Sequence, residues 1–156
     1  MILLNELKIK DFISHSDTNL IFKDNQKLLI SGISGSGKSS ICEAVLFCLY
    51  GNGRADNRNL VRKGCKQAIV SLKLIDGNII TIITREVTSM GKNSLSITQN
   101  MGTNGQFVAI PRTGLKDLQN WVTDTFLKAS EKLFINSIAY LQDNQNSFVK
   151  ATASER

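Results

Sequence analysis

Residues 31–39 read Ser-Gly-Ile-Ser-Gly-Ser-Gly-Lys-Ser, and the eight from Gly32 to Ser39 fit the pattern G-x-x-x-x-G-K-[ST] at every fixed position. A loop of this kind works only between a strand and a helix, so its flanks decide whether the match has structural meaning. Before it, Leu28-Leu29-Ile30 is an unbroken apolar run, which predicts a short buried strand. After Lys38, the stretch from Ser39 to Tyr50 is apolar almost all round, with Glu43 its only charge, and Gly51 supplies a left-handed stop. A helix without a polar face is sandwiched in a core rather than laid on a surface.

The loop's chemistry follows from its residue types. Gly32, Gly35 and Gly37 permit backbone torsions and close approaches that a side chain would block, so the main chain can wrap an anion as a nest of N–H groups. The helix N-terminus beyond aims unpaired N–H groups and its dipole at the same place. Lys38 supplies a point charge for the β- and γ-phosphates of a nucleotide, and the Ser39 hydroxyl is placed to ligate Mg2+. Ser34, Ser36 and Ser40 complete the candidate phosphate-binding set.

Outward from the loop, Leu7 and Ile9 alternate with Lys8 and Lys10, and Leu20 and Phe22 frame a second alternation, giving two strands. Residues 54–66 are polar and basic, and they read as irregular. Ala68, Val70, Leu72 and Leu74 alternate up to Asp76-Gly77, and Ile80 and Ile82 alternate back, which is a hairpin signal. Further strands are expected at 95–97 and 107–110. Leu115, Leu118, Trp121, Val122 and Phe126 repeat at helical spacing, with Trp121 read as core; a second helix is expected over 130–136 and a strand over 138–141. The fold class is α/β: a P-loop NTPase with an antiparallel β-meander.

The 156 residues are the size of one domain and, at 42% hydrophobic, can bury a core. A formal net charge of +6 and a pI near 9.4 suit a polyanionic partner such as DNA or a nucleotide. Cys42, Cys48 and Cys65 form no C-x-x-C pair and read as small buried hydrophobes in a reducing, cytoplasmic compartment. The early apolar run Ile2–Leu4 is far too short for a leader or a membrane span.

Gripping a triphosphate is not cleaving it. Phosphoryl transfer also needs an acid on a second apolar strand and a group that orients water. The one apolar segment ending in an acid, Val70–Asp76, runs straight into a turn, so Asp76 reads as a hairpin corner. Neither D-x-x-G nor N-K-x-D, the marks of a GTPase, occurs. Two readings stay open at this point: a self-sufficient small P-loop kinase or NTPase, and a binding module whose nucleotide is structural.

Three stretches taken together carry a resemblance: KIKDFISHSDTNLIF leading to GISGSGKSSICEAVLFCLYG, then LVRKGCKQAIVSL, then LFINSIAYLQDNQNSFVKATASER. In order and spacing they are similar to the N-terminal half of the SbcC-type ATPases of DNA double-strand-break repair, relatives of SMC proteins, whose kind also serves phage recombination nucleases. The resemblance implies an ABC-type head built from two distant halves of one polypeptide, the second half bringing the signature motif and the acidic strand. It implies that Gln142 is the Q-loop glutamine, ligating Mg2+ and helping to hold the attacking water. Val61, Arg62 and Lys63 fall where family members approach the adenine. It further implies a second head joined through ATP, a nuclease subunit and DNA as partners.

The chain departs from the family pattern at named positions. Ser34 stands where the family usually has Asn, Ile13 where a base-contacting Arg is common, and Asp143 where Gly follows the glutamine. His15, in the SHSDT turn, reads as structural. Thr152 to Glu155 has capping-box spacing where the family's coiled coil departs, so residues 1–156 are expected to form the N-terminal lobe of the head, truncated at the start of that coil. On this reading the chain holds Mg-ATP and hydrolyses it poorly alone.

Overall fold

The computed structural model describes residues 1–23, 28–52, 57–100 and 105–137. Its frame is a six-stranded antiparallel sheet in the order β2-β1-β3-β4-β5-β6, made of β1 (Ile2–Phe12), β2 (His15–Ile21), β3 (Gln67–Asp76), β4 (Ile79–Thr88), β5 (Asn93–Asn100) and β6 (Val108–Ala109). One long helix, α1 (Lys38–Tyr50), lies on it. After β6 come α2 (Leu115–Asn120), a π-helical segment (Trp121–Leu127) and α3 (Glu131–Ser137).

The β3–β4 hairpin forms where Asp-Gly predicts it. Asp76 pairs with Ile79, so the turn is the two residues Gly77 and Asn78, with Gly77 at φ 59. That short turn fixes the parity of β4. Opposite the inward-facing Leu74, Leu72 and Val70 stand Thr81, Ile83 and Arg85, all buried, whereas Ile80 and Ile82 take the outer face half exposed. The alternation of Ile80 and Ile82 marks the returning strand but not its inner face: turn length sets register, and register sets which side chains go in.

The inner face of the sheet brings Leu7, Ile9, Val70, Leu72, Ile83 and Val87 against Ala44, Phe47 and Cys48 of α1. Phe12 and Phe47 meet with ring centroids 5.5 Å apart. Helix α1 buries most of its surface, as its apolar circumference requires, and Gly51 ends it at φ 80 with its N–H bonded to Phe47 O at 2.8 Å. Trp121 packs half-buried against this core, stacked on Phe126 at 5.3 Å.

Three expectations change. Leu28–Ile30 form no strand and are exposed, Leu29 by 88%. A run apolar on both faces needs neighbours on both sides, and among the described residues the sheet offers it none. Of the three cysteines only Cys48 is buried; Cys42 is exposed and Cys65 half-buried. Within the stretch read as irregular, Asn57–Leu60 form a 3-10 turn. The strand expected over 138–141 lies outside the described residues.

The C-terminal end of α1 is held by an unusual cation. Arg85, on β4, is 1% exposed and has no carboxylate partner among the described residues. Its Nε donates to Cys48 O at 3.1 Å, its Nη1 to Asn93 Oδ1 at 3.4 Å and its Nη2 to Gln119 Oε1, and the group lies 5.9 Å from the centre of the Phe47 ring. Gln119 in turn donates to Leu49 O at 2.9 Å, and Asn93 to Gly51 O at 3.4 Å. Three side chains from β4, β5 and α2 thus satisfy carbonyls that a helix end leaves open, and the helix dipole supplies the negative field that a counter-ion would. Burial lowers the Arg85 pKa to about 10, so it stays charged at neutral pH.

Replacing Arg85 with Leu leaves Cys48 O and Gln119 Oε1 short of a donor in a dry site, and the loss of unfolding free energy should be about 3 kcal/mol, read from urea denaturation. Burial pushes the Cys48 thiol up to about 12, so at pH 8 iodoacetamide should label Cys42 in the native protein and reach Cys48 only on unfolding, as counted by mass spectrometry.

Candidate phosphate-binding site

The phosphate loop delivers its residues to one cleft. Gly37 caps α1 at φ 94, a torsion open to glycine, and Ser40 N–H bonds back to Gly37 O at 3.0 Å. A turn closed by Ser36 N–H to Ile33 O at 3.3 Å precedes it. Lys38 folds over this turn, its Nζ donating to Gly32 O at 2.8 Å and to Ile33 O at 2.7 Å. The ammonium is therefore held above the loop by the loop's own carbonyls, while the first N–H groups of α1 have no helical partner.

The resulting cleft, about 470 Å3, is lined by Ser34, Gly35, Gly37, Lys38, Ser39 and Ser40 from the loop and helix, and by Ile13 and Ser14 from the β1–β2 turn. Gly32 and Ser36 shape the turn without lining the cleft. Amide donors, one ammonium and serine hydroxyls around an open cleft make an anion cradle, and the Ser39 hydroxyl is the hard oxygen donor that Mg2+ prefers.

The β1–β2 turn is unusual backbone. Asp11 and Ile13 have φ of 49 and 48, and a β-branched residue in that region carries strain of about 1–3 kcal/mol. It is held from the side: Ile13 N–H bonds to Leu60 O and Arg62 N–H to Asp11 O, both at 2.8 Å, around a Phe12–Val61 bridge. This seats residues 60–62 beside the cleft. Val61 itself is buried in the core, whereas Arg62 and Lys63 are exposed, Arg62 lying 3.9 Å from Asp11, and none of the three lines the cleft. Gln142 lies outside the described residues. Sequence reasoning left out Ser14, for which no motif position gives a signal, and it gave His15 no partner; the structure ties His15 to Gly37 O at 3.1 Å.

A family model described as an AAA domain (AAA_23) matches residues 6–156. The chain belongs to that family. Along 99% of its length it is 26% identical to the DNA double-strand break repair Rad50 ATPase of Thermoplasma acidophilum and, again over 99%, 31% identical to that of Methanocaldococcus jannaschii. Over 53% of its length it is 46% identical to the Archaeoglobus fulgidus Rad50 ATPase. The chain spans only 17%, 14% and 10% of those relatives' own lengths. Among solved structures it resembles the recombination mediator RecF (TM-score 0.56, 19% identity, 69% of this chain and 28% of that one). It also resembles the SMC head domain from Thermotoga maritima (0.50, 21%, 75% and 41%). These likenesses establish the α/β P-loop NTPase fold class and bear out the SbcC- and SMC-like resemblance read from the three stretches. Among the described residues no helix is long and apolar enough to cross a membrane.

A Cβ at Gly37 would press on Ser14 Oγ and lie 3.0 Å from His15 Nε2, and its φ is unfavourable to any other residue. Gly37→Ala should cost about 1–2 kcal/mol of stability, measured by denaturant unfolding, whereas Gly64→Ala, with a positive φ but open space around it, should cost less.

Proposed function

We propose that this chain is the ATP-gripping lobe of a DNA-repair ATPase head, residues 1–156 forming its N-terminal half. The observation that carries the reading is Lys38: the ammonium is poised over a glycine turn, at the unpaired N-terminus of a core helix, beside a cleft of the right chemistry. The loop from Gly32 to Ser40 holds the phosphates through Gly32, Ser34, Gly35, Ser36, Gly37 and Ser40, with Lys38 neutralising charge on the β- and γ-phosphates. Ser39 and Gln142 hold Mg2+, which would neutralise the leaving phosphates. Val61, Arg62 and Lys63 stand beside the cleft without lining it, on the side where the base would approach, and Ile13 gives an apolar contact in the cleft itself.

Hydrolysis needs groups from elsewhere. The exposed Leu28–Ile30 run, just before the phosphate loop, supports a complementary half, since a contiguous exposed apolar segment beside a ligand site marks a surface for a partner. In the assembled protein a second head would close over the nucleotide, and the cycle of closing and opening would be felt by DNA and a nuclease subunit, in keeping with the Rad50 and SMC likenesses and the net positive charge.

Calorimetry on the chain should detect Mg2+-dependent ATP binding that Lys38→Ala abolishes. Turnover should stay low until the complementary half is supplied in trans and then rise at least tenfold. Vigorous turnover by the chain alone, or phosphoryl transfer to a nucleoside, would favour a small kinase instead.

A further inference from the structure

We propose that His15 is a positioning residue for the phosphate loop, an inference that rests on the ATP-binding reading above. His15 stands at the start of β2, and its ring spans two partners: Nδ1 lies 2.9 Å from Thr18 Oγ1 and Nε2 lies 3.1 Å from Gly37 O. A carbonyl oxygen can only accept, so the proton is on Nε2; in the neutral ring Nδ1 then takes the Thr18 hydroxyl proton. Gly37 O sets the tautomer, the Thr18 hydroxyl steadies the ring by donating to Nδ1, and His15 delivers the N–H.

The captured carbonyl is the decisive one in the loop. Gly37, lacking a side chain, offers α1 no side-chain cap of its own, and glycine tolerates several orientations of the peptide that follows it. On the helix side, Gly37 O also accepts the Ser40 N–H at 3.0 Å. Because a trans peptide points its C=O and N–H in opposite directions, holding Gly37 O by His15 directs the Lys38 N–H away from the hairpin and along the open end of the helix, where the ATP-binding reading puts a phosphate. The pair is sterically matched too, since the ring nitrogen and Ser14 Oγ occupy the space a Cβ at residue 37 would need. The β1–β2 hairpin thus acts as an outside brace on the loop, and His15 does not line the cleft.

The test compares the wild-type chain with His15→Ala, His15→Gln and Thr18→Val, measuring Mg-ATP affinity by calorimetry and unfolding midpoint by circular dichroism. Loss of one neutral hydrogen bond to the cradle should weaken binding by about fivefold to tenfold in His15→Ala, with little change in midpoint. His15→Gln keeps a side-chain N–H donor and should recover most of the affinity, and Thr18→Val should fall between. Nitrogen-15 spectra of the wild-type imidazole should report the Nε2–H form, which gives a readout that does not depend on the variants folding. Wild-type affinity in His15→Ala, no rescue by Gln, or an Nδ1–H ring would each overturn this inference while leaving ATP binding intact. A wild-type chain that binds no Mg-ATP, with an Nε2–H ring, would overturn the functional reading itself and the inference with it.

Discussion

Helix α1 is a rod whose two ends ask for opposite company. Its first N–H groups and last carbonyls are unpaired by the geometry of any α-helix, and the dipole adds a positive bias at Lys38 and a negative one at Tyr50. The negative end is satisfied by the protein, through Arg85, Gln119 and Asn93. The positive end is left for an anion, framed by glycines and one lysine. Because the sides of the helix are packed against the sheet, neither end can move without disturbing the core, and this places the cradle on a rigid support.

How much of this could be read beforehand depends on the physics behind each element. The phosphate loop and α1 were legible because local chemistry alone dictates them: glycines for torsion, an apolar circumference for burial, a glycine stop. The β3–β4 hairpin was legible in place but not in facing. In Ile79-Ile80-Thr81-Ile82-Ile83 either parity buries isoleucine, so composition is silent, and the two-residue turn decides. Arg85 was invisible for the same reason, since a cation in an alternating strand reads as an outward residue until the register is known. The His15 contact joins residues 22 apart in sequence through side chain and main chain, a relation that no periodicity carries. Leu28–Ile30 show the opposite failure: an intrinsically sound strand pattern, with no sheet neighbour among the described residues to realise it.

The site gathers its supports from separate parts of the chain. The loop and helix form one arm, and the strained Asp11–Ile13 turn forms the second, clamped by main-chain bonds to Leu60 and Arg62. Strain at such a turn persists only because these bonds overdetermine it. Ile13 then gives the cleft an apolar wall, where contacts would rest on dispersion and water exclusion rather than on charge.

The buried guanidinium has an evolutionary consequence. A core salt bridge can be lost by neutralising both partners or inverted by swapping them, but Arg85 answers to neutral amides and a helix end, so no charge reversal can compensate for it. Were position 85 to drift to an aliphatic residue, Asn93 and Gln119 would be left as polar groups with one task fewer, and selection would favour their replacement too. Positions 85, 93 and 119, on three different elements, should therefore covary as a block across homologous sequences, with the residue that ends α1 as the fourth member.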